Sequence, residues 1–129
     1  MKLKVRQILE IKPSLEKILE KELPSKVLFR YFKMMKLFME SFDDFHKIRD
    51  QKLEEYGQAL PEVMGQPKQY AFETEEKKIS FAKEIEDLLN EEVDFGEVEK
   101  IKQSDLESSN IELSFTDMMK LTDFIDIDG

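Results

Sequence analysis

No cysteine occurs among the 129 residues, and that absence excludes disulfides, thiolate zinc sites, iron–sulfur clusters and a cysteine nucleophile. A reducing interior is the natural compartment for such a chain. Histidine occurs once, His46 in "DDFHK", where Asp43 three residues earlier shares its helical face. A lone residue of this kind reads as a solvated helical side chain rather than a base. No serine stands in a Gly-x-Ser-x-Gly elbow, so a nucleophilic triad has no support. The four glycines, Gly57, Gly65, Gly96 and Gly129, are scattered and build no loop that could cradle a phosphate. No apolar run approaches the roughly 18 residues that a membrane span needs. The opening Met1 to Arg6 is charged at every second or third place, unlike a secretory leader. A soluble, unsecreted protein without a membrane partner is expected.

Positive charge is scarce in one half of the chain. Residues 1–69 hold 14 Lys and Arg against 11 Asp and Glu, a surplus of +3, whereas residues 70–129 hold 6 against 18, a deficit of −12, which together make the net −9. Nucleic-acid binding needs clustered Lys and Arg against phosphate, so direct contact with nucleic acid is not expected. The acidic half is either a solvated surface or one that faces a basic partner, DNA mimicry included. At this length a single domain is the default, with about two thirds of the unfolded surface buried.

What the chain does have is helical periodicity. Ile8, Ile11, Leu15 and Ile18 recur at intervals of three and four, with Leu9 and Leu19 widening the stripe. Pro13 should kink or restart this helix, because it removes a backbone donor and crowds the preceding turn. Pro24 ends it and leaves Ser25 as the N-cap of the next. From Ser25 to Tyr56 runs the longest helix, and within it "FRYFKMMKLFMESFDDF" places five Phe and three Met in seventeen residues. Leu28, Tyr31, Met35, Phe38, Phe42 and Phe45 form one seam toward residues 6–22, an antiparallel hairpin. Phe32, Met34 and Met39 widen the apolar arc to about 160°, and Phe29, Leu37 and Ile48 fall outside it. A single helix cannot cover that much, so a second layer or a partner must meet the remainder. Past Phe45 the helix tip should project into solvent.

Residues 57–69 carry two of the four Pro and two of the four Gly and read as a loop. Beyond them "QYAFE" and "EVDFGEVEKI" are strand candidates that should pair with each other in a minimal sheet. Between them, Thr74 caps a helix whose buried face is expected to be Ile79, Ala82, Ile85 and Leu89, with Phe81 and Leu88 beside it. Ser114 and Asp117 make a capping box, with Leu113 and Met118 as a hydrophobic staple, so a helix should begin at Phe115. The fold expected is α+β and mostly helical: one domain over 1–129, with a helical hairpin (1–56), a loop (57–69) and an acidic α+β part (70–129).

Chemistry is harder to find. Glu84, Asp87 and Glu91 share a helical face, but a di-metal bundle adds Glu-x-x-His pairs and none is present. The terminal "DFIDIDG" imitates the start of a calcium loop without its remaining ligands. Neither a metal, a cofactor nor a catalytic residue is expected. The Met and Phe surface is different, because Met repacks easily and aromatic side chains anchor interfaces. Phe29, Phe32, Met34, Leu37, Met39 and Ile48 are therefore the candidate partner-binding residues.

Several segments in order, "MKLK", "KELPSKV" (21–27), "EEYG" (54–57), "EIEDLLNEEVDF" (84–95), "EKIKQSDLE" (99–107) and "IELSFTDMMKLTDF" (111–124), resemble a family of small proteins of unknown function carried by tailed phages and prophages of Gram-positive bacteria. The resemblance spans nearly the whole chain and implies a viral origin, a helix hairpin with a small α+β part, and residence in the host cytoplasm. It brings no catalytic residues. Pro13 within the first helix, and a loop at 58–69 without an Asp/Gly-rich turn, depart from its pattern.

The function expected is that of a small phage-encoded, non-enzymatic module that docks on a host or phage protein complex and modulates it, as in host takeover or defence evasion. The alternatives are a minor virion or assembly component, and an acidic DNA-mimic inhibitor of a nucleic-acid enzyme. Association of two copies into a homodimer is compatible with the first reading.

Overall fold

The computed structural model describes residues 1–126. Strand β1 (Lys2–Lys4) leads directly into α1 (Val5–Leu19), whose first turn is closed by the Gln7 side-chain oxygen accepting from the Lys4 amide at 2.9 Å. The chain turns at residues 20–24 and returns as α2 (Ser25–Tyr56), a helix about 48 Å long at 1.5 Å per residue. Then follow β2 (Gly57–Ala59), β3 (Tyr70–Phe72), α3 (Glu75–Leu89), β4 (Glu92–Asp94), β5 (Ile101–Lys102), α4 (Gln103–Ser108), α5 (Phe115–Lys120) and β6 (Ile125–Asp126). The fold is α+β and mostly helical, with the expected hairpin formed by α1 and α2. The last three residues of "DFIDIDG" lie outside the described residues, and its Ile125 and Asp126 form β6.

Pro13 does not interrupt α1. The helix runs from Val5 to Leu19 with Pro13 on its exposed side, so the carbonyl left without a donor four residues earlier faces the side open to water. Next to it Ser14 is buried and tied to α5, which holds the helix together across this point. Ser25 is not the cap of α2 either. Pro24 takes that position, its carbonyl accepting from Leu28 at 3.0 Å.

The strands pair differently from the sequence reading. β3 does not meet β4 but folds back antiparallel on β2, with Gly57 opposite Phe72 and Ala59 opposite Tyr70. The stretch expected to be loop from its start therefore gives its first three residues to a hairpin. The amide of Leu60 donates to the Gln69 carbonyl at 2.8 Å and closes the ladder. β4 pairs antiparallel with β1, which places Leu3 across from Val93 and stitches the N-terminus to the acidic half. The Met1 ammonium donates to the Gly96 carbonyl at 2.8 Å beyond this pair. β5 and β6 run parallel. Short strands of this kind are stable only with helices over them.

The core is an aromatic knot between the layers. Phe38 of α2 meets Phe124 edge-on at 5.9 Å, Phe124 meets Phe95 edge-on at 5.9 Å, and Phe38 lies 6.5 Å from Phe95. Edge-to-face contacts at such separations suit the ring quadrupole. Ile8, Leu15 and Ile18 of α1 complete the core from the hairpin side. The second layer over α2 is thus partly the segment after α5, as Leu121, Phe124 and Ile125 are buried. The far end of α2 does not project freely: α3 packs on it, with Lys52 3.2 Å and Tyr56 3.1 Å from Glu84. The buried face expected of α3 is corrected as well. Ile79 and Ala82 are exposed, while Phe81, Ile85, Leu88 and Leu89 are only half-buried, because α2, α1 and β3 touch α3 without enclosing it.

One polar network is enclosed. Asp117 accepts from the Ser14 hydroxyl at 2.8 Å, from Lys17 Nζ at 2.6 Å, and from the Ser114 amide at 3.3 Å, while its own amide donates to the Ser114 hydroxyl at 3.1 Å. The capping box read from sequence is therefore also the bolt between α5 and α1. Hydrogen bonding from Lys17, then from Ser14, holds the Asp117 carboxyl well below the usual carboxylate range. A depressed folded value means stability that is present above the unfolded value near 4 and lost as pH falls toward the folded one. We expect Asp117→Asn to melt below the wild type at pH 7. We also expect it to lose less melting temperature than the wild type between pH 5 and pH 2, measured by circular dichroism. Equal acid slopes for the two proteins would refute the assignment.

Candidate docking surface

Helix geometry, together with where the other elements pack, decides which bulky side chains of α2 are left outside. Successive residues advance about 100° around the axis. The face holding Tyr31, Met34, Met35 and Phe38 is buried; Phe29 lies more than a quarter turn beyond its edge, whereas Phe32 and Leu28 lie within a quarter turn of Met35, at the border of that face. Phe29 is 86% exposed, Phe32 56% and Leu28 43%. Phe29 and Phe32 are i, i+3 neighbours and Leu28 and Phe32 are i, i+4, so the three form a continuous apolar face over the first two turns. Scattered single apolar residues are ordinary on a surface, whereas these three are contiguous, which makes the face a candidate for contact.

Not all six candidate residues share that face. Phe29 and Phe32 lie on it. Met34 is corrected to the core, being 4% exposed, because it sits about 140° around the helix from Phe29. Leu37 and Met39 are half-buried and pack against the core. Ile48 is exposed but lies about 24 Å along the axis from Phe32, where it borders a shallow hollow with Lys52 and the α3 residues Glu84 and Leu88. Leu28, expected in the hairpin seam, belongs to the face instead.

The first turns of α2 are tied to the neighbouring elements by hydrogen bonds. The buried Tyr31 hydroxyl donates to Asp105 Oδ2 at 2.5 Å and accepts from the Lys102 amide at 2.9 Å. Arg30 Nη1 donates to the same Asp105 oxygen at 2.8 Å. Burial, then the bond to Asp105, pushes the Tyr31 hydroxyl above its ordinary value, so it stays a neutral donor. The cluster joins α2 to β5 and α4, so the exposed face is presented on a backbone that other elements fix.

The electrostatics of this face run against the acidic half of the molecule. Between Ser25 and Met39 stand Lys26, Arg30, Lys33 and Lys36 and no acidic residue. Arg30 is spent on Asp105, and Lys36 reaches Glu40 at 3.8 Å. Lys26 and Lys33 are exposed, and among the described residues no ion pair engages them. Beside the face a groove of about 600 Å³ runs between α2 and residues 95–99, with Lys33 and Lys36 on one wall and Glu97 and Glu99 on the other.

Other exposed apolar side chains were not legible as site residues. Met64 is fully exposed at the tip of the β2–β3 hairpin, on a turn in which the Val63 carbonyl accepts from the Gln66 amide at 3.1 Å and Gly65 has φ +83°. Glycine at that position of the turn is what permits the conformation. Phe115 and Met119 stand out from α5, and Ile79 from α3. The available signal was that a Val-Met pair in a Pro/Gly loop, or a Phe directly after an N-cap, has no periodic stripe to bury it.

His46 is not solvated as its position suggested. Its ring lies 4.4 Å from that of Phe42 and 5.4 Å from that of Phe45. Burial, then Arg49, pushes its value below the ordinary one, so it is a neutral packing residue at pH 7. Glu84 of the acidic stripe is engaged by Lys52 and Tyr56. Among the described residues no group of three or more potential ligands could hold a metal ion, and no helix is long and apolar enough to cross a membrane.

The geometry thus defines a mostly helical α+β protein with an aromatic, basic face on the first turns of α2. Compared with protein-family models, curated proteins and solved structures, the chain matches none of them.

Proposed function

We propose that the protein is a non-enzymatic protein-binding module, which docks through Leu28, Phe29 and Phe32 on a host or phage protein complex in the host cytoplasm and modulates it. The observation that carries this reading is the pair Phe29 and Phe32, 86% and 56% exposed on a helix that Tyr31 anchors from behind. Large aromatic side chains on a preorganised backbone lose little freedom on binding and supply most of the energy of an interface. The phage resemblance noted above agrees with a stoichiometric modulator, and the acidic second half would tune approach to the partner rather than chemistry. The DNA-mimic reading gains less from this surface. On α3 the acids Glu75, Glu76, Glu86 and Asp87 are interleaved with Lys77, Lys78 and Lys83, which breaks any phosphate-like row.

The test is site-specific photo-crosslinking in host cells, with a benzophenone side chain at position 29, 32 or 47. Positions 29 and 32 should trap the same protein adduct, and position 47, exposed on another stretch of α2, should not. The double variant F29S/F32S should fold with an unchanged melting temperature and lose the partner. Adduct formation independent of position would reject the docking role of this face.

A further inference from the structure

The face described above has a charge pattern that selects the chemistry of what it receives. Four cations and no anion occupy the stretch from Ser25 to Met39, in a chain of net charge −9. Two of these cations, Lys26 and Lys33, stand three residues before and four after Phe29, on the side of it away from Phe32, without an ion-pair partner among the described residues, although Lys33 also lines the groove that Glu97 and Glu99 border. The positive end of the α2 dipole adds to the same sign, since no acidic residue stands in its first turn. An unpaired cation beside an exposed aromatic ring is positioned to meet a carboxylate that arrives with an apolar neighbour.

We propose that the segment received by this face is acidic and amphipathic: a stretch of a partner protein in which Asp or Glu residues border one or two apolar anchors. The anchors cover Phe29, Phe32 and Leu28, and the carboxylates engage Lys26 and Lys33. This rests on the docking role given to the face under the proposed function. Charge complementarity of this kind speeds encounter and rejects partners of the wrong sign more than it adds raw affinity. A lipid surface fits less well, because the −12 carried by residues 70–129 would be repelled by an anionic bilayer.

A random peptide library is selected on the full protein and counter-selected on F29S/F32S, and the retrieved peptides are measured by fluorescence anisotropy. Acidic peptides with apolar anchors should be enriched. Their binding should weaken by about tenfold in K26E/K33E and weaken again as salt is raised, because exposed charge pairs are screened. Enrichment of basic or uncharged peptides that still require Phe29 and Phe32 overturns the acidic partner and leaves the docking face standing. Peptides that ignore both residues overturn both readings. Phosphatidylglycerol vesicles form a further arm, as does sedimentation velocity of the protein alone. Co-sedimentation with the vesicles, or self-association, that is lost in F29S/F32S would assign the face to a membrane or to a second copy and overturn the proposal.

Discussion

Phe38→Ala is expected to lower the unfolding free energy by about 3–5 kcal/mol, the range for removing a fully buried aromatic side chain from a core. In a domain of this size that corresponds to a fall in melting temperature on the order of 10–20 °C. Phe38 is fully buried and meets both Phe95 and Phe124. The cavity would therefore open where α2, the segment after β4 and the segment after α5 converge, and neighbours tied by β1–β4 and β5–β6 pairing cannot easily collapse into it. Chemical denaturation of the variant and the wild type, with the midpoint compared at equal slope, provides the measurement. A loss below about 1 kcal/mol would mean that the three rings do not form a common core.

Tyr31→Phe is the second large effect. It removes one oxygen and leaves the ring in place, so its consequence is nearly all polar. The Lys102 amide loses its acceptor, and Asp105 loses one of its two donors and keeps Arg30. Leaving buried polar groups unmatched costs about 1–3 kcal/mol. The same variant should loosen β5 and α4 against α2, seen as faster amide exchange at Lys102 than at core amides of α1. By contrast Phe29→Ser and Phe32→Ser, on the same helix, should leave stability unchanged. The contrast separates the two sides of α2: one holds the protein together, and the other is free to bind.

Much of the hairpin was legible before any coordinates. The 3–4 spacing of Ile8, Ile11, Leu15 and Ile18 identified a face that buries, and of the seam Leu28, Tyr31, Met35, Phe38, Phe42 and Phe45 all but the exposed Leu28 and the half-buried Phe42 are in the core. Such periodicity is a local property of a helix and needs no knowledge of the partner. Ser114 and Asp117 were equally legible, since a capping box closes within four residues. The failures lie where information is not local. A three-residue strand such as Lys2–Lys4 is too short to show alternation, and its pairing with β4 spans some ninety residues. Pro13 was read as a break because its effect on the backbone is local, whereas the Ser14–Asp117 contact that bridges the site is distant in sequence.

The candidate site divides in the same manner. That α2 carries more bulk than one helix can shield follows from composition and the 100° step alone. Which side chains stay outside depends on where β4, α3 and α5 come to rest. The segments after β4 and after α5 took Met34 and Phe38 into the core, and α3 covered the far end of the helix, which left Leu28, Phe29 and Phe32 to solvent. By itself the sequence determined the hairpin, the caps and the separation of charge along the chain, because each arises from residues within a few turns of one another. The strand partners, the Asp117 bolt and the identity of the open face were decided only by tertiary structure, because each depends on which distant surfaces exclude water together.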